Sequence, residues 1–199
     1  MAIEIYNFDQ GSSDWYEARR GIITASNFSD VLAKGQGITR KKYMYQLAGE
    51  RFTGRVQESY TNAYMQRGQE LEGKARELYQ EQTGNEVSKV GFIKNGYKGF
   101  SPDGLINNGK GGIEIKVALP AIQIERLFAD KLPSEHVAQV QGGNHVAELE
   151  YIDFVSYCEG MPLFIHRANR DESYISNLRK ELEIFENELQ EVVRRIGEF

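Results

Sequence analysis

Phe100-Ser101-Pro102-Asp103-Gly104-Leu105-Ile106, a run of turn formers over 107–112, and Gly112-Ile113-Glu114-Ile115-Lys116-Val117 form the stretch that decides the fold. Apolar residues alternate on both sides of Asn107-Asn108-Gly109-Lys110-Gly111-Gly112, which predicts two strands, 104–107 and 112–118, joined by a turn. Successive side chains of a strand point to opposite faces, so Glu114 and Lys116 share one face while Ile113, Ile115 and Val117 share the other. Just upstream, the same period predicts strands over 87–93 and 97–101, parted by Asn95-Gly96. Asp103 therefore lies on or beside the preceding strand, within reach of Glu114.

Away from these strands the apolar period lengthens. Helices are predicted from a Ser12 or Ser13 cap through 18, from Thr24-Ala25-Ser26-Asn27 through Leu32, over 39–52, and over 62–83 with Gly84 as a left-handed stop. A helix over 134–148, strands over 151–158 and 163–168, and a last helix over 171–196 complete the chain. This order predicts an α/β (α+β) fold, a mixed central β-sheet flanked by helices. No repeat, linker or low-complexity tract divides residues 1–199, so one domain is read: a helical region to about 60, a core of 62–168 and a terminal helix of 171–196. In that helix Ile175, Leu178, Leu182, Phe185, Leu189, Val192 and Ile196 alternate by three and four; the seam reads as packing against the chain's own sheet.

A hydrophobic content of 40% and a charged content of 27% fit an ordinary globular protein, and no apolar run reaches the length of a membrane span. Met1-Ala2-Ile3-Glu4-Ile5 has neither the basic nor the apolar part of a secretory leader. The single Cys158 excludes a disulfide framework and a cysteine zinc site, and fits a reducing cytoplasm. The net charge of −5 is unevenly spread: residues 171–199 hold four Lys/Arg against eight Asp/Glu, whereas 16–55 hold eight against three. A polyanion responds to the local field, so an acidic total does not exclude binding to phosphates. Arg40-Lys41-Lys42 by itself reads first as a solvated helix start.

Two carboxylates brought together repel unless a cation or proton lies between them. Asp103 and Glu114 suit Mg²⁺, which takes one or two carboxylates and completes its shell with water and phosphate oxygens; Mn²⁺ is a reasonable substitute. Lys116, on the same face as Glu114, is placed to position or deprotonate a water and to stabilise charge on a phosphorane, which is metal-assisted phosphodiester hydrolysis. Alone, Glu-x-Lys is common on a wet strand and Pro-Asp-Gly is a good turn; their order and spacing carry the specificity.

Pro102-Asp103 followed by Glu114-x-Lys116 resembles the PD-(D/E)xK nuclease superfamily, with its restriction-endonuclease-like core. Within it the chain is similar to the lambda-exonuclease-like alkaline exonucleases, or YqaJ viral recombinase family. Four further blocks carry this likeness: Trp15 to Ser26 (W-x₃-R-x-G-x-[IV]-T-A-S), Gly68 to Arg76 (G-x₃-E-x₂-A-R), Phe100 to Gly104, and Ala138-Gln139-Val140-Gln141. The resemblance implies that Asp103, Glu114 and the main-chain carbonyl of Ile115 bind the catalytic metal, with Glu72 the associated helix carboxylate. It implies that Lys116 is the catalytic lysine and Gln139 an active-site glutamine. Arg19, Ser26 and Ser101 match a pocket for a 5′-phosphate, and an Arg fork with two hydroxyls is chemically suited to one.

The same resemblance implies a Mg²⁺-dependent, processive 5′→3′ exonuclease on double-stranded DNA, leaving 3′ tails for phage recombination. It further implies a ring-shaped homotrimer, a single-strand annealing protein as partner, no membrane association, and residence in the cytoplasm of a bacterial host. A structure- or sequence-specific endonuclease on the same core is the alternative. A decayed, DNA-binding module is a third reading, which the complete Asp103, Glu114 and Lys116 set opposes.

Neighbouring residues have plainer readings. Glu70 reads as surface, Gln141 as solvated, Trp15 as core, and Ser26 as a helix cap as readily as a phosphate ligand. Of His136, His145 and His166, which form no metal spacing, only His136 is placed to face the cleft. The family pattern is not followed at Lys34-Gly35-Gln36-Gly37, nor over 117–133, where Val117-Ala118-Leu119-Pro120-Ala121-Ile122 is apolar and Arg126 and Lys131 are the basic residues before the next helix.

Overall fold

In the computed structural model of the chain the described residues are 2–33, 38–56 and 63–199, the side chains of 63–69 excepted. Lys34-Gly35-Gln36-Gly37 and the predicted helix start at 62 lie outside them. The elements are β1 (Glu4–Tyr6), α1 (Ser13–Arg19), β2 (Ile23–Thr24), α2 (Phe28–Leu32), α3 (Ile38–Thr53), α4 (Ala63–Thr83), β3 (Phe92–Asn95), β4 (Lys98–Phe100), β5 (Gly104–Ile106), β6 (Gly111–Val117), α5 (Pro120–Ala129), α6 (Val137–Val146), β7 (Tyr151–Tyr157), β8 (Phe164–Asn169) and α7 (Glu172–Ile196).

The mixed, helix-flanked architecture is as expected, with the strands divided between two mixed sheets of order β1-β3-β4-β2 and β5-β6-β7-β8. The break falls at the decisive stretch. β4 ends at Phe100, and Pro102 has no N–H to extend a ladder. Asp103 N then donates to Ile113 O at 3.1 Å, so the chain joins the second sheet beside β6. β6 runs parallel to β7, with Glu114 opposite Phe154 and Lys116 opposite Ser156. The Ile113, Ile115 face packs with Val155 and Tyr157 against Ala75 and Tyr79 of α4. The opposite face of the sheet joins Ile152 and Phe154 to Val140 of α6 and Phe28 of α2. Glu114 and Lys116 thus emerge on the side that carries α6.

Local chemistry explains most boundaries. Ser12 Oγ accepts from Trp15 N and caps α1, Asp171 caps α7, and Gly84 closes α4 at φ 72°. The strand expected over 87–93 reduces to one bridge, Ser88 with Leu105, before β3 begins at Phe92. Gly91 gives its N–H to Tyr6 O instead, and a Cβ there would lie 2.0 Å from Phe8 O. β1, the two-residue β2 and α5 were not expected. Pro120 sits at the first turn of α5, where its missing N–H costs nothing, and Asp130 ends the helix in the left-handed region at φ 46°.

The α7 seam is used within the chain, but on helices rather than on a sheet. Leu178, Leu182, Phe185 and Leu189 are fully buried in one cluster with Phe28, Tyr43, Met44 and Leu47, where α7 meets α3, α2 and α6, and Ile175 is fully buried near the start of the same helix. Arg51 fixes this packing, donating to both carboxylate oxygens of Glu186 at 2.8 and 2.7 Å and to Gly21 O at 2.8 Å. Among the described residues no helix is long and apolar enough to cross a membrane.

Candidate active site

The Asp103–β6 pairing brings the predicted acids together. Asp103 Oδ2 accepts from Ile115 N at 2.5 Å, so its carboxyl is tied to the residue between Glu114 and Lys116. Glu114 is 3% exposed. Its Oε1 accepts from Lys116 Nζ and from Gln139 Nε2, each at 2.6 Å, while Oε2 is buried with no hydrogen-bond partner among the described residues. Gln139 reaches it from the first turns of α6, which crosses the open side of β6.

The electrostatics follow from this crowding. Burial pushes the Asp103 carboxyl well above the usual carboxylate range, and the charges of Glu114 and Glu72 push it further; Lys116 and the Ile115 N–H oppose them. Burial works to lower the Lys116 ammonium, yet the carboxylates of Glu114 and Asp103 outweigh it and hold the group above its ordinary value. A buried carboxylate oxygen without a donor, beside a second carboxyl raised by like charge, is the environment a hard cation relieves. Among the described residues no group of three His, Cys, Asp or Glu side chains is gathered as a ready-made ion cage. The donor set fits an ion that uses two carboxylates and completes its shell with water and substrate oxygens.

Glu72 comes from α4. It is ion-paired with Arg76 one helical turn on, and Arg76 Nε donates to Asp103 O at 3.2 Å. Both line a cavity of about 640 Å³ together with Asp103, Glu70 and Lys89. Glu70 is exposed as expected, though it borders the same cavity. Arg76 has a positioning role the sequence reading did not assign. Its signal was present in the i,i+4 spacing from Glu72.

Arg19, at the end of α1, forms a second cluster. Arg19 NH1 donates to Ser101 Oγ at 2.8 Å, and its guanidinium lies 4.0 Å from the centre of the Trp15 ring. Trp15 Nε1 lies 3.0 Å from both Gly91 O and Ser101 Oγ. Trp15 is therefore a half-buried part of this cluster and not a core residue: its indole packs while its N–H bonds. Burial lowers the Arg19 pKa to about 10, opposed by Tyr43, Tyr16 and Glu50, so the group stays cationic at neutral pH. Its other N–H groups make no hydrogen bond among the described residues, and the side chain lines a cavity of about 460 Å³.

Ser26 is exposed and caps no helix; its Oγ lies 3.3 Å from both Thr24 Oγ1 and Asn27 Oδ1. Thr24 and Asn27 line the Arg19 cavity, while no hydrogen bond among the described residues joins Ser26 to Arg19 or Ser101.

His136 packs on Phe154, with ring centroids 5.0 Å apart, and its Nε2 lies 3.1 Å from Arg126 NH2. Burial and then the charges of Lys116 and Arg126 lower its pKa to about 4. Arg126, on the unexpected α5, also donates to Ser156 Oγ at 3.0 Å. Gln141 is buried, not solvated: it donates to Asn169 O and accepts from Asp171 N, both at 2.9 Å.

Residues 14–150 match the YqaJ-like viral recombinase domain. Among curated proteins no match was found. Among solved structures the chain is similar to an alkaline exonuclease (LHK-Exo) from Laribacter hongkongensis, with 34% identity, a TM-score of 0.87, and coverage of 94% of this chain and 97% of that one. LHK-Exo in complex with dAMP matches at 35% identity with the same coverage and TM-score. A phage-related exonuclease from Haemophilus somnus 129PT shares the fold at 16% identity, with a TM-score of 0.65 and coverage of 89% and 96%.

Proposed function

The chain belongs to the YqaJ-like viral recombinase family, and on that premise we propose that it is a Mg²⁺-dependent, processive 5′→3′ exonuclease acting on double-stranded DNA. The observation that carries this reading is the donorless, buried Oε2 of Glu114 beside Asp103, with Lys116 and Gln139 both on Oε1. In this reading Asp103, Glu114 and the carbonyl of Ile115 hold the ion, with Glu72 behind them. Mn²⁺ substitutes for Mg²⁺ because every donor is oxygen. When bound, the ion supplies Lewis-acid polarisation of the scissile phosphate and neutralises its charge.

The chain's own residues do the rest. Lys116 is cationic here, a donor suited to orient an attacking water and to stabilise charge that grows on the phosphoryl oxygens. Gln139 holds the Glu114 carboxylate in one orientation. Arg76 keeps Glu72 and the Asp103 main chain in place. Arg19 and Ser101, with Ser26 beside the cavity-lining Thr24 and Asn27, take the 5′-phosphate through charge-assisted bonds. LHK-Exo has been solved with dAMP, a deoxynucleoside monophosphate, which supports a site of that size in this family.

The 3′ single-stranded tails left by such an enzyme are substrates for strand annealing in phage recombination. We accordingly propose a single-strand annealing protein as partner, a ring-shaped homotrimer around DNA, and action in the cytoplasm of a bacterial host. The test is digestion in Mg²⁺ of linear duplex with a 5′-phosphate, linear duplex with a 5′-hydroxyl, and closed circular duplex. Fast loss of the first, slower initiation on the second and an intact circle are expected. Cutting of the circle would establish an endonuclease instead, and inertness on all three would establish a binding module.

A further inference from the structure

Two cavities meet at one short wall. The cavity holding Asp103 and Glu72 and the cavity holding Arg19 both include Gln10, Gly11 and Tyr16 in their linings. Gln10 ties the wall to the acidic side, since its Nε2 donates to Pro102 O at 2.9 Å, the residue next to Asp103. Tyr16 ties it to the Arg19 side. Its ring meets Trp15 edge-on, with centroids 4.9 Å apart and planes at 77°, and Trp15 is itself pinned by Gly91, Ser101 and Arg19. Tyr16 nevertheless remains 37% exposed, and its hydroxyl makes no hydrogen bond among the described residues.

An aromatic ring braced on one edge and open to two cavities is poorly explained as core. We propose that Tyr16 is the platform for the 5′-terminal nucleoside, which spans the wall between its own phosphate at Arg19 and the scissile phosphate at Asp103 and Glu114. The inference rests on the reading of Arg19 as the 5′-phosphate ligand. Every base offers a π-face, so such a platform serves an enzyme that accepts any terminal base. Stacking also offsets the stacking the base loses as it leaves the duplex end.

The experiment compares wild type, Tyr16→Ala and Tyr16→Phe on 5′-phosphorylated duplex whose terminal nucleotide is either normal or abasic. On normal ends Tyr16→Ala should lose roughly 5- to 100-fold in kcat/KM, the range for one base–aromatic stack, and Tyr16→Phe should recover most of that loss. Wild type should lose a similar factor on abasic ends, where Tyr16→Ala should add little, because each change removes the same contact. Full activity of Tyr16→Ala on normal ends, or an undiminished further loss on abasic ends, would overturn the proposal. The phosphate reading fails by a different sign: wild type would then treat phosphorylated and hydroxyl ends alike, whatever the outcome at Tyr16.

Discussion

Replacing Arg19 by Gln removes the guanidinium that bonds Ser101 and lines the second cavity while keeping a polar, uncharged side chain. Arg19 gives one N–H to Ser101 and leaves its other donors to the cavity. A charge-assisted hydrogen bond contributes about 1.5–3 kcal/mol, and two that share one guanidinium are not additive, so about 2–4 kcal/mol is lost for a bound terminal phosphate. That is roughly 30- to 1000-fold in kcat/KM. The loss should appear on 5′-phosphorylated linear duplex and be nearly absent on 5′-hydroxyl duplex, measured as initial rates over a range of DNA concentrations. Arg19→Lys should fall between, because an ammonium keeps the charge without the planar fork. The stack on Trp15 is worth about 0.5–2 kcal/mol, so the fold should survive with Tm lowered by several degrees at most. An equal loss on both kinds of end would refute the assignment, because it would mean that Arg19 only braces the cluster.

Three other perturbations follow from particular contacts. Gln139→Ala removes one of the two donors on Glu114 Oε1, and should lower kcat by about 10- to 100-fold with little change in KM; an unchanged kcat would remove Gln139 from the site. Gly142→Ala would set a Cβ 2.3 Å from the Phe28 ring and should cost about 1–3 kcal/mol by overpacking, whereas Gly49→Ala meets nothing within 4 Å and should be neutral or stabilising. Thermal melts of the two variants in opposite order would contradict the packing of α6 on α2. Burial, with Lys98, Arg179 and Arg170 adding to it, lowers the folded pKa of His145 to about 4. Its contribution is therefore complete above the unfolded value near 6.5 and is lost as pH falls towards 4, so Tm should drop more steeply across that window in wild type than in His145→Gln.

The hairpin that carries the candidate site was legible because its information is local. Asp103, Glu114 and Lys116 lie within one strand–turn–strand unit, where a period of two dictates which side chains share a face. Glu72 and Gln139 were reached through family resemblance alone; nothing in their own neighbourhoods says that α4 and α6 converge on β6. Trp15 was misjudged because large aromatics read as core by type, while its position follows from hydrogen bonds to Gly91 and Ser101 more than 70 residues away. The division into two sheets escaped for the same reason, since strand partners such as Tyr6 with Phe92 are long-range choices. α5 was hidden by Pro120, which punctuates a sequence equally well as a loop residue or as the first residue of a helix. Arg126, which that helix brings to Ser156 and His136, was hidden with it.

In the proposed function Asp103 and Glu114 form a cation-dependent phosphodiesterase site. The most direct measurement is cleavage and binding of 5′-phosphorylated linear duplex by wild type and Asp103→Asn, side by side, in Mg²⁺ and in a chelator. Wild type should degrade the duplex only in Mg²⁺, and Asp103→Asn should bind DNA with comparable affinity yet release no nucleotides. Cleavage by Asp103→Asn at the wild-type rate, or wild-type cleavage that persists in the chelator, would contradict it.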